Sequence, residues 1–263
     1  MKKLALAISA LLASGSAIAT NTSSNTSLNG SDDNYVNVYQ FSGGPGHESS
    51  VFHDNNSDSN TSTIHQVGEL QFSDIYIDNG SSNNTISIAQ AGSTNTSIVI
   101  ADFGSDWNVV DVNQAGSTNS SYISMLNNAD NNEASVTQDG SLNTAEIFVT
   151  AGDDNILSAT QIGSSNMAMI DIAGAPFDNP DNNIVNVWQQ GDGNLANVML
   201  TGEADNNTVG ITQWGNTSQA FVSITGAGGA ADNNTVIITQ TDNDVATDTI
   251  VNSSGNTFIT TQL

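Results

Sequence analysis

The stretch Asn84-Thr85-Ile86-Ser87-Ile88-Ala89-Gln90 puts Asn84, Ile86, Ile88 and Gln90 on one parity and Thr85, Ser87 and Ala89 on the other. Alternation with a period of two marks a β-strand whose two faces meet different surroundings. An asparagine followed six residues later by a glutamine recurs ten times: Asn34/Gln40, Asn60/Gln66, Asn84/Gln90, Asn108/Gln114, Asn132/Gln138, Asn155/Gln161, Asn183/Gln189, Asn207/Gln213, Asn234/Gln240 and Asn256/Gln262. Most copies carry apolar residues at the second and fourth positions between the pair. Successive opening asparagines stand 22 to 28 residues apart, a spacing at which supersecondary units stack into a solenoid.

Two residues past the glutamine stands a glycine in seven units: Gly68, Gly92, Gly116, Gly140, Gly163, Gly191 and Gly215. Glycine readily takes the positive φ that a tight turn needs. A second alternating run follows, as in Asn143, Ala145, Ile147, Val149 and in Asn194, Ala196, Val198, Leu200. Each unit therefore reads strand, tight turn, strand, looser turn. Two short strands are marginal alone in water, whereas stacked copies share a core. The expected fold class is all-β, a β-solenoid of about ten rungs with amyloid-like cross-β stacking.

Charge supports this assignment of faces. No Asp or Glu falls on the inward parity of the ten first strands, while Asp111, Glu133, Glu146 and Asp171 take the outward one. The interior is then apolar plus amides, and a buried amide is costly unless its donors and acceptor are paired. Rungs in register about 4.8 Å apart let each amide bond to its copies above and below. The expected structural site is thus a set of amide ladders. It comprises the opening residues Asn84, Asn108, Asn132, Asn155, Asn183, Asn207, Asn234 and Asn256, and the glutamines Gln90, Gln114, Gln138, Gln161, Gln189, Gln213, Gln240 and Gln262. Asn95, Asn119, Asn143, Asn166 and Asn194 open the second strands.

The pattern resembles the curlin repeat, whose motif is Ser-x5-Gln-x-Gly-x2-Asn-x-Ala-x3-Gln. The run Asn132-x5-Gln138-x-Gly140-x2-Asn143-x-Ala145 matches it with Asn for the opening Ser, and the runs opening at Asn155 and Asn183 match equally well. Ser97 and Ser121 take the Ala position in two further units. The resemblance extends over roughly residues 34–262. It implies a subunit of curli, the extracellular amyloid fibres of Gram-negative bacteria, with a nucleator subunit and an outer-membrane secretion pore as partners. The closing Gln of the motif is replaced by Ala101, Met125, Val149, Ile172 and Leu200, so one full glutamine column is expected and the second becomes apolar packing. Residues 41–59 fit poorly, and an incomplete first rung is expected there.

At the N-terminus Lys2 and Lys3, an apolar run over residues 4–13 and Ala17-Ile18-Ala19 read as a secretory signal peptide of residues 1–19. The apolar run is well short of the roughly 20 residues that span a bilayer. The expected division is this signal, a flexible segment at residues 20–33, and the repeat solenoid at residues 34–263. Cleavage would remove both basic residues and leave 27 acidic ones. Such a chain is unsuited to nucleic acid or to anionic lipid, both of which are held by Lys and Arg. The absence of cysteine excludes disulfides and thiolate metal sites and suits export.

No catalytic constellation and no cofactor motif is legible. His47, His53 and His65 are the only histidines and read as solvated side chains. Asp32/Asp33 and Asp153/Asp154 read as turn residues rather than an acid/base pair. An Asp stands two positions before the opening Asn in eight units: Asp32, Asp58, Asp106, Asp130, Asp153, Asp181, Asp205 and Asp232. These are expected to bond their own turns, with a column of weak calcium ligands as the alternative; no metal site is assigned. Trp107, Trp188, Trp214, Tyr35, Tyr39, Tyr76, Tyr122 and Phe148 fall on outward parity or in turns.

The expected function is a secreted, non-enzymatic structural subunit that polymerises end to end for biofilm matrix and adhesion. Alternatives are the nucleator of the same system and a monomeric ligand- or ion-binding β-solenoid. Irregular outward positions such as Thr85, Val109, Glu133 and Ile156 count against ice binding. A lyase carried on a β-helix usually needs a basic residue near its carboxylates, and the mature chain would have none.

Overall fold

A computed structural model describes residues 23–174, 179–227 and 229–263. The signal expected at residues 1–19 lies outside the described residues. Among the described residues twenty strands form two parallel ten-stranded sheets, the odd-numbered strands in one and the even-numbered strands in the other. The odd sheet holds β1 (Ser23–Asn29), β3 (Glu48–Asp54), β5 (Phe72–Ile77), β7 (Thr96–Asp102), β9 (Ser120–Leu126), β11 (Thr144–Thr150), β13 (Met167–Ala173), β15 (Leu195–Gly202), β17 (Gln219–Gly226) and β19 (Val245–Val251). The even sheet holds β2 (Tyr35–Ser42), β4 (Thr61–Glu69), β6 (Thr85–Ser93), β8 (Val109–Ser117), β10 (Glu133–Ser141), β12 (Ile156–Ser164), β14 (Ile184–Asp192), β16 (Thr208–Trp214), β18 (Thr235–Gln240) and β20 (Thr257–Gln262). The chain is an all-β solenoid of about ten stacked turns.

Consecutive strands do not pair with each other. Each hydrogen-bonds the strand two further along, so the connection between them is an arch joining two sheets rather than a hairpin. Repeat spacing explains this choice. Pairing every second strand in parallel sets identical parities side by side, so one buried face runs the length of each sheet. The register brings Gln114, Gln138 and Gln161 together, and likewise Gly116, Gly140 and Gly163. Most variation in repeat length is absorbed in the outer turns, while the two extra residues of the first interval lie in the arch between β2 and β3. The longest interval, from Asn155 to Asn183, still pairs Gln161 with Gln189, its extra residues lying between β13 and β14.

Between the sheets lies one core of Val, Ile, Leu, Ala and Met side chains. Ala101, Met125, Val149, Ile172 and Leu200 are all buried in a single column of it. Fully burying an aliphatic side chain of this size contributes about 1.5–3 kcal/mol.

Two expectations about the N-terminal part are corrected. Residues 20–33 are not simply a flexible leader, since Ser23–Asn29 forms β1 and pairs with Glu48–Asp54. Nor is the first rung incomplete, because β3 lies within residues 41–59 and pairs on both sides, with β1 and β5. Parallel pairing draws on backbone N–H and C=O groups that any residue but proline supplies in full, so a poor motif match does not prevent it.

Candidate functional site

The glutamines stand on the inward parity in the arch-proximal half of each even strand and are buried from Gln66 to Gln240. Their amides form an unbroken ladder. Gln40 Nε2 donates to Gln66 Oε1 at 2.8 Å, and the pattern repeats through Gln90, Gln114, Gln138, Gln161, Gln189, Gln213 and Gln240 to Gln262, with no link longer than 3.0 Å. The second amide hydrogen is also used. Gln138 Nε2 donates to the Ser120 carbonyl and Gln161 Nε2 to that of Thr144, both at 2.9 Å, tying the two sheets together at the arch. A mid-ladder glutamine thus uses both donors and its acceptor, which makes its burial tolerable.

The opening asparagines form a second column at the other end of the even strands. The backbone N–H of Asn108 donates to Asn84 Oδ1 at 2.9 Å, and that of Asn132 to Asn108 Oδ1 at 2.9 Å. Asn155, Asn183, Asn207, Asn234 and Asn256 continue it. Nδ2 of Asn84, Asn108, Asn132, Asn155 and Asn234 reaches a carbonyl of the neighbouring outer turn, as from Asn108 to Ala129 at 2.7 Å. The residue before every opening asparagine is left-handed, from Asp33 (φ 57°) to Gly255 (φ 73°). Asparagine, aspartate and glycine tolerate that region best and occupy most of these places.

Asn95, Asn119, Asn143, Asn166 and Asn194 make a third column inside the arch, with Asn119 N–H donating to Asn95 Oδ1 at 3.0 Å. Residues of other types extend it. His47 Nδ1 accepts from the backbone N–H of Gln71 at 3.3 Å, and Ser218 N–H donates to Asn194 Oδ1 at 3.0 Å. Because His47 Nδ1 accepts, its Nε2 carries the proton and donates to the Phe41 carbonyl at 3.0 Å. Reading by residue type missed His47, Gln71 and Ser218. The signal was their spacing, one period from the next member.

Gly68, Gly92, Gly116, Gly140 and Gly163 have φ between 100° and 129° and lie at strand ends rather than at the tip of the arch. The tip is a left-handed residue before the arch asparagine, such as Thr94 (φ 59°) or Thr118 (φ 58°). A Cβ on Gly140 would come within 2.0 Å of the Gly163 carbonyl oxygen. Glycine is therefore required by rung-to-rung approach as well as by φ.

The outer-turn carboxylates do something neither sequence reading anticipated. Asp130 Oδ1 accepts the backbone N–H of Asp106 at 2.7 Å, Asp153 that of Asp130 at 2.8 Å, and Asp181 that of Asp153 at 2.8 Å. Asp205 and Asp232 continue the series. Where the Asp is missing a hydroxyl takes over, Ser82 accepting from Asp58 N–H and Ser254 from Asp232 N–H, each at 3.0 Å. These side chains bond the neighbouring rung rather than their own turn. Burial first, then the neighbouring carboxylates, push Asp106, Asp153, Asp181 and Asp205 above the ordinary carboxylate range, although the hydrogen bonds each accepts pull the other way. Among the described residues no cluster of three His, Asp or Glu side chains is arranged to hold a metal ion.

The histidine expectation is also corrected. His47 and His53 are buried, and only His65 is solvated, stacked on Tyr39 at 4.7 Å. His53 occupies a core position beside Leu28 and Ile77, with Nε2 against Ser62 Oγ at 2.8 Å and Nδ1 without a partner. Burial pushes its pKa down from 6.5 to about 4.

Two parallel sheets stapled by stacked amides define the class, a repeat β-solenoid whose columns serve cohesion between rungs. The family model for the curlin associated repeat matches residues 108–140 and 129–163. The resemblance to the curlin family is thereby shown over residues 108–163, and the same amide columns run in register on either side of that segment. Comparison with curated proteins found no significant match.

Proposed function

We propose that the chain is the bulk structural subunit of a secreted, curli-like functional amyloid, assembling end to end into fibres for biofilm matrix and adhesion, without enzymatic activity. One observation carries the reading: the glutamine ladder repeats the same donor–acceptor geometry at every rung from Gln40 to Gln262, so a rung of another copy can extend it with the bonds already used inside the molecule. The strands at the two ends favour such extension. Among the described residues β1 and β2 pair on one side only, as do β19 and β20, and Phe258 and Ile259 of β20 are exposed. Unpaired parallel edges are templates for strand addition.

Secretion through an outer-membrane pore and a nucleating partner subunit belong to this proposal, supported by the curlin resemblance and by the N-terminal sequence. The final repeat, Asn256-Thr-Phe-Ile-Thr-Thr-Gln262, contains no basic residue, which favours the bulk subunit over the nucleator. The test is incubation of the purified chain from residue 20 onward at neutral pH. Thioflavin-positive fibres with reflections near 4.7 and 10 Å are expected. A stable soluble monomer under these conditions overturns the reading.

A further inference from the structure

The two outer faces of the solenoid differ. At the centre of the even sheet the outward side chains are mostly small and polar, as at Ser87, Asn113, Ser135 and Thr137. The odd sheet instead presents a large side chain at one or both central outward positions of the eight strands from β3 to β17, including Phe52, Ile100, Phe148 and Met199, and rings on neighbouring strands meet diagonally, with Tyr122 and Phe148 centroids 5.5 Å apart. A face with a large, mostly apolar side chain at eight successive rungs of a strongly acidic chain marks a contact surface.

Seven of the ten odd strands pair a large residue with a small or polar one at these two positions, while β7 carries Ile98 and Ile100, and β1 and β19 carry two small polar residues each. The couples include Ser50 and Phe52 on β3, Tyr122 and Ser124 on β9, and Phe221 and Ser223 on β17. The three central carboxylates are distributed likewise, Asp74 beside Tyr76, Glu146 beside Phe148 and Asp171 beside Met169, and no strand carries two of them.

We propose that this face docks a second copy of the chain, the two solenoids being related by a two-fold axis parallel to their long axes. That operation sets the two central positions of each rung opposite each other. Phe52 then enters the space over Ser50 of the other copy, Phe221 that over Ser223, and every central carboxylate meets a large side chain rather than another carboxylate. The occupant is a second copy for two reasons. Only a chain with the same rung spacing keeps side chains interdigitated along the whole length, as in paired cross-β sheets about 10 Å apart. The face also has the right size: ten strands about 4.8 Å apart and about seven residues wide give roughly 1,000 Å² per copy, or about 2,000 Å² in all, at the upper end of a standard stable interface. Asp74 Oδ1 is already buried without a partner, and burial raises Asp74 and Asp171 above the ordinary carboxylate range, so part of the desolvation that docking requires is present in the single solenoid.

The inference deepens the fibre reading and rests on it, but its test is separable. Mass per unit length of the fibres, measured by scanning transmission electron microscopy, should equal two chains per solenoid length. Phe148→Asp and Ser223→Trp, on the odd face, should halve it while the cross-β reflections persist. Thr137→Asp and Thr160→Trp, on the even face, should leave it unchanged. A wild-type fibre one solenoid thick, or equal effects of the two pairs of variants, overturns the docking. If the chain forms no fibres, the fibre reading fails and sedimentation decides the docking instead: a dimer lost in the odd-face variants supports it, and a monomer overturns it.

Discussion

The backbone N–H of Asp106 donates to Oδ1 of Asp130, one rung further along, at 2.7 Å. A charged side chain thus serves as a rung-to-rung connector in the outer turn, beside backbone bonds such as that from Asn131 N–H to the Asp106 carbonyl at 3.0 Å. Neutral oxygen at Ser82 and Ser254 does the same work. The acceptor is what the position requires, and the charge comes with it as a cost.

That separation of acceptor from charge is testable. The folded values of Asp106, Asp153, Asp181 and Asp205 lie above the ordinary 3.8, so ionisation at neutral pH opposes the stacked state. Stability should rise as pH falls through the raised values, and the gain should be complete near 3.8. Asp106→Asn with Asp181→Asn keeps both acceptors, and it should speed assembly at pH 7 and flatten the dependence on salt. Screening shortens from about 10 Å at 0.1 M to about 3 Å at 1 M, so wild-type rates should climb over that range. A variant whose assembly follows pH and salt as the wild type does would refute the charge penalty, and a response to submillimolar calcium at matched ionic strength would replace it with ion binding.

His53 works in the opposite direction. Its folded pKa, about 4, lies below the ordinary 6.5, so the unfolded chain takes up a proton that the folded chain refuses. Stability of the N-terminal rungs should therefore decline as pH drops from 6.5 to about 4 and level off below, by up to about 3 kcal/mol at roughly 1.4 per pKa unit. Hydrogen exchange at Val51 and Ile64 is the appropriate probe, and His53→Leu should abolish the acid-induced loss of protection. Protection at these residues that is constant across the interval would remove His53 as its cause.

Inside the arch, Gln138→Ala breaks the links to Gln114 and Gln161 and the bond to the Ser120 carbonyl. Leaving buried polar groups unpaired costs about 1–3 kcal/mol each, so denaturant resistance and elongation rate should both fall. Thr137→Ala, on the outward parity of the same strand, should change either by little. Equal effects of the two substitutions would dispose of the ladder as a source of cohesion.

Two glycines, each within an even strand, should answer oppositely. Gly140→Ala places a methyl group 2.0 Å from the Gly163 carbonyl at a φ of 129°, and rung stability should drop by at least about 1–3 kcal/mol. Gly210, within β16, has open space around its Cβ position and no positive φ, so Gly210→Ala should be neutral or stabilising by about 0.5–1 kcal/mol. Chemical denaturation of the two variants would check both signs.

Much of this architecture is written in the sequence because repetition turns a weak local signal into a strong one. Alternation around Ile86 and Ile88 fixes which side chains face inward, and the equal spacing of Gln90, Gln114 and Gln138 fixes which ones stack. Both follow from the two-residue period of a strand, which needs no tertiary information. Only the tertiary structure decided the rest. His47, Gln71 and Ser218 extend the arch column although they share no residue type with Asn95, because the column selects for a hydrogen-bonding partner at a place and not for an amide. β1 joins the solenoid without the motif because a parallel edge recruits backbone, which the side-chain pattern of Ser23–Asn29 does not record. The outer-turn carboxylates look alike whether they bond their own turn, a cation or the next rung. The choice among those partners depends on the distance between rungs, which sequence period alone does not specify.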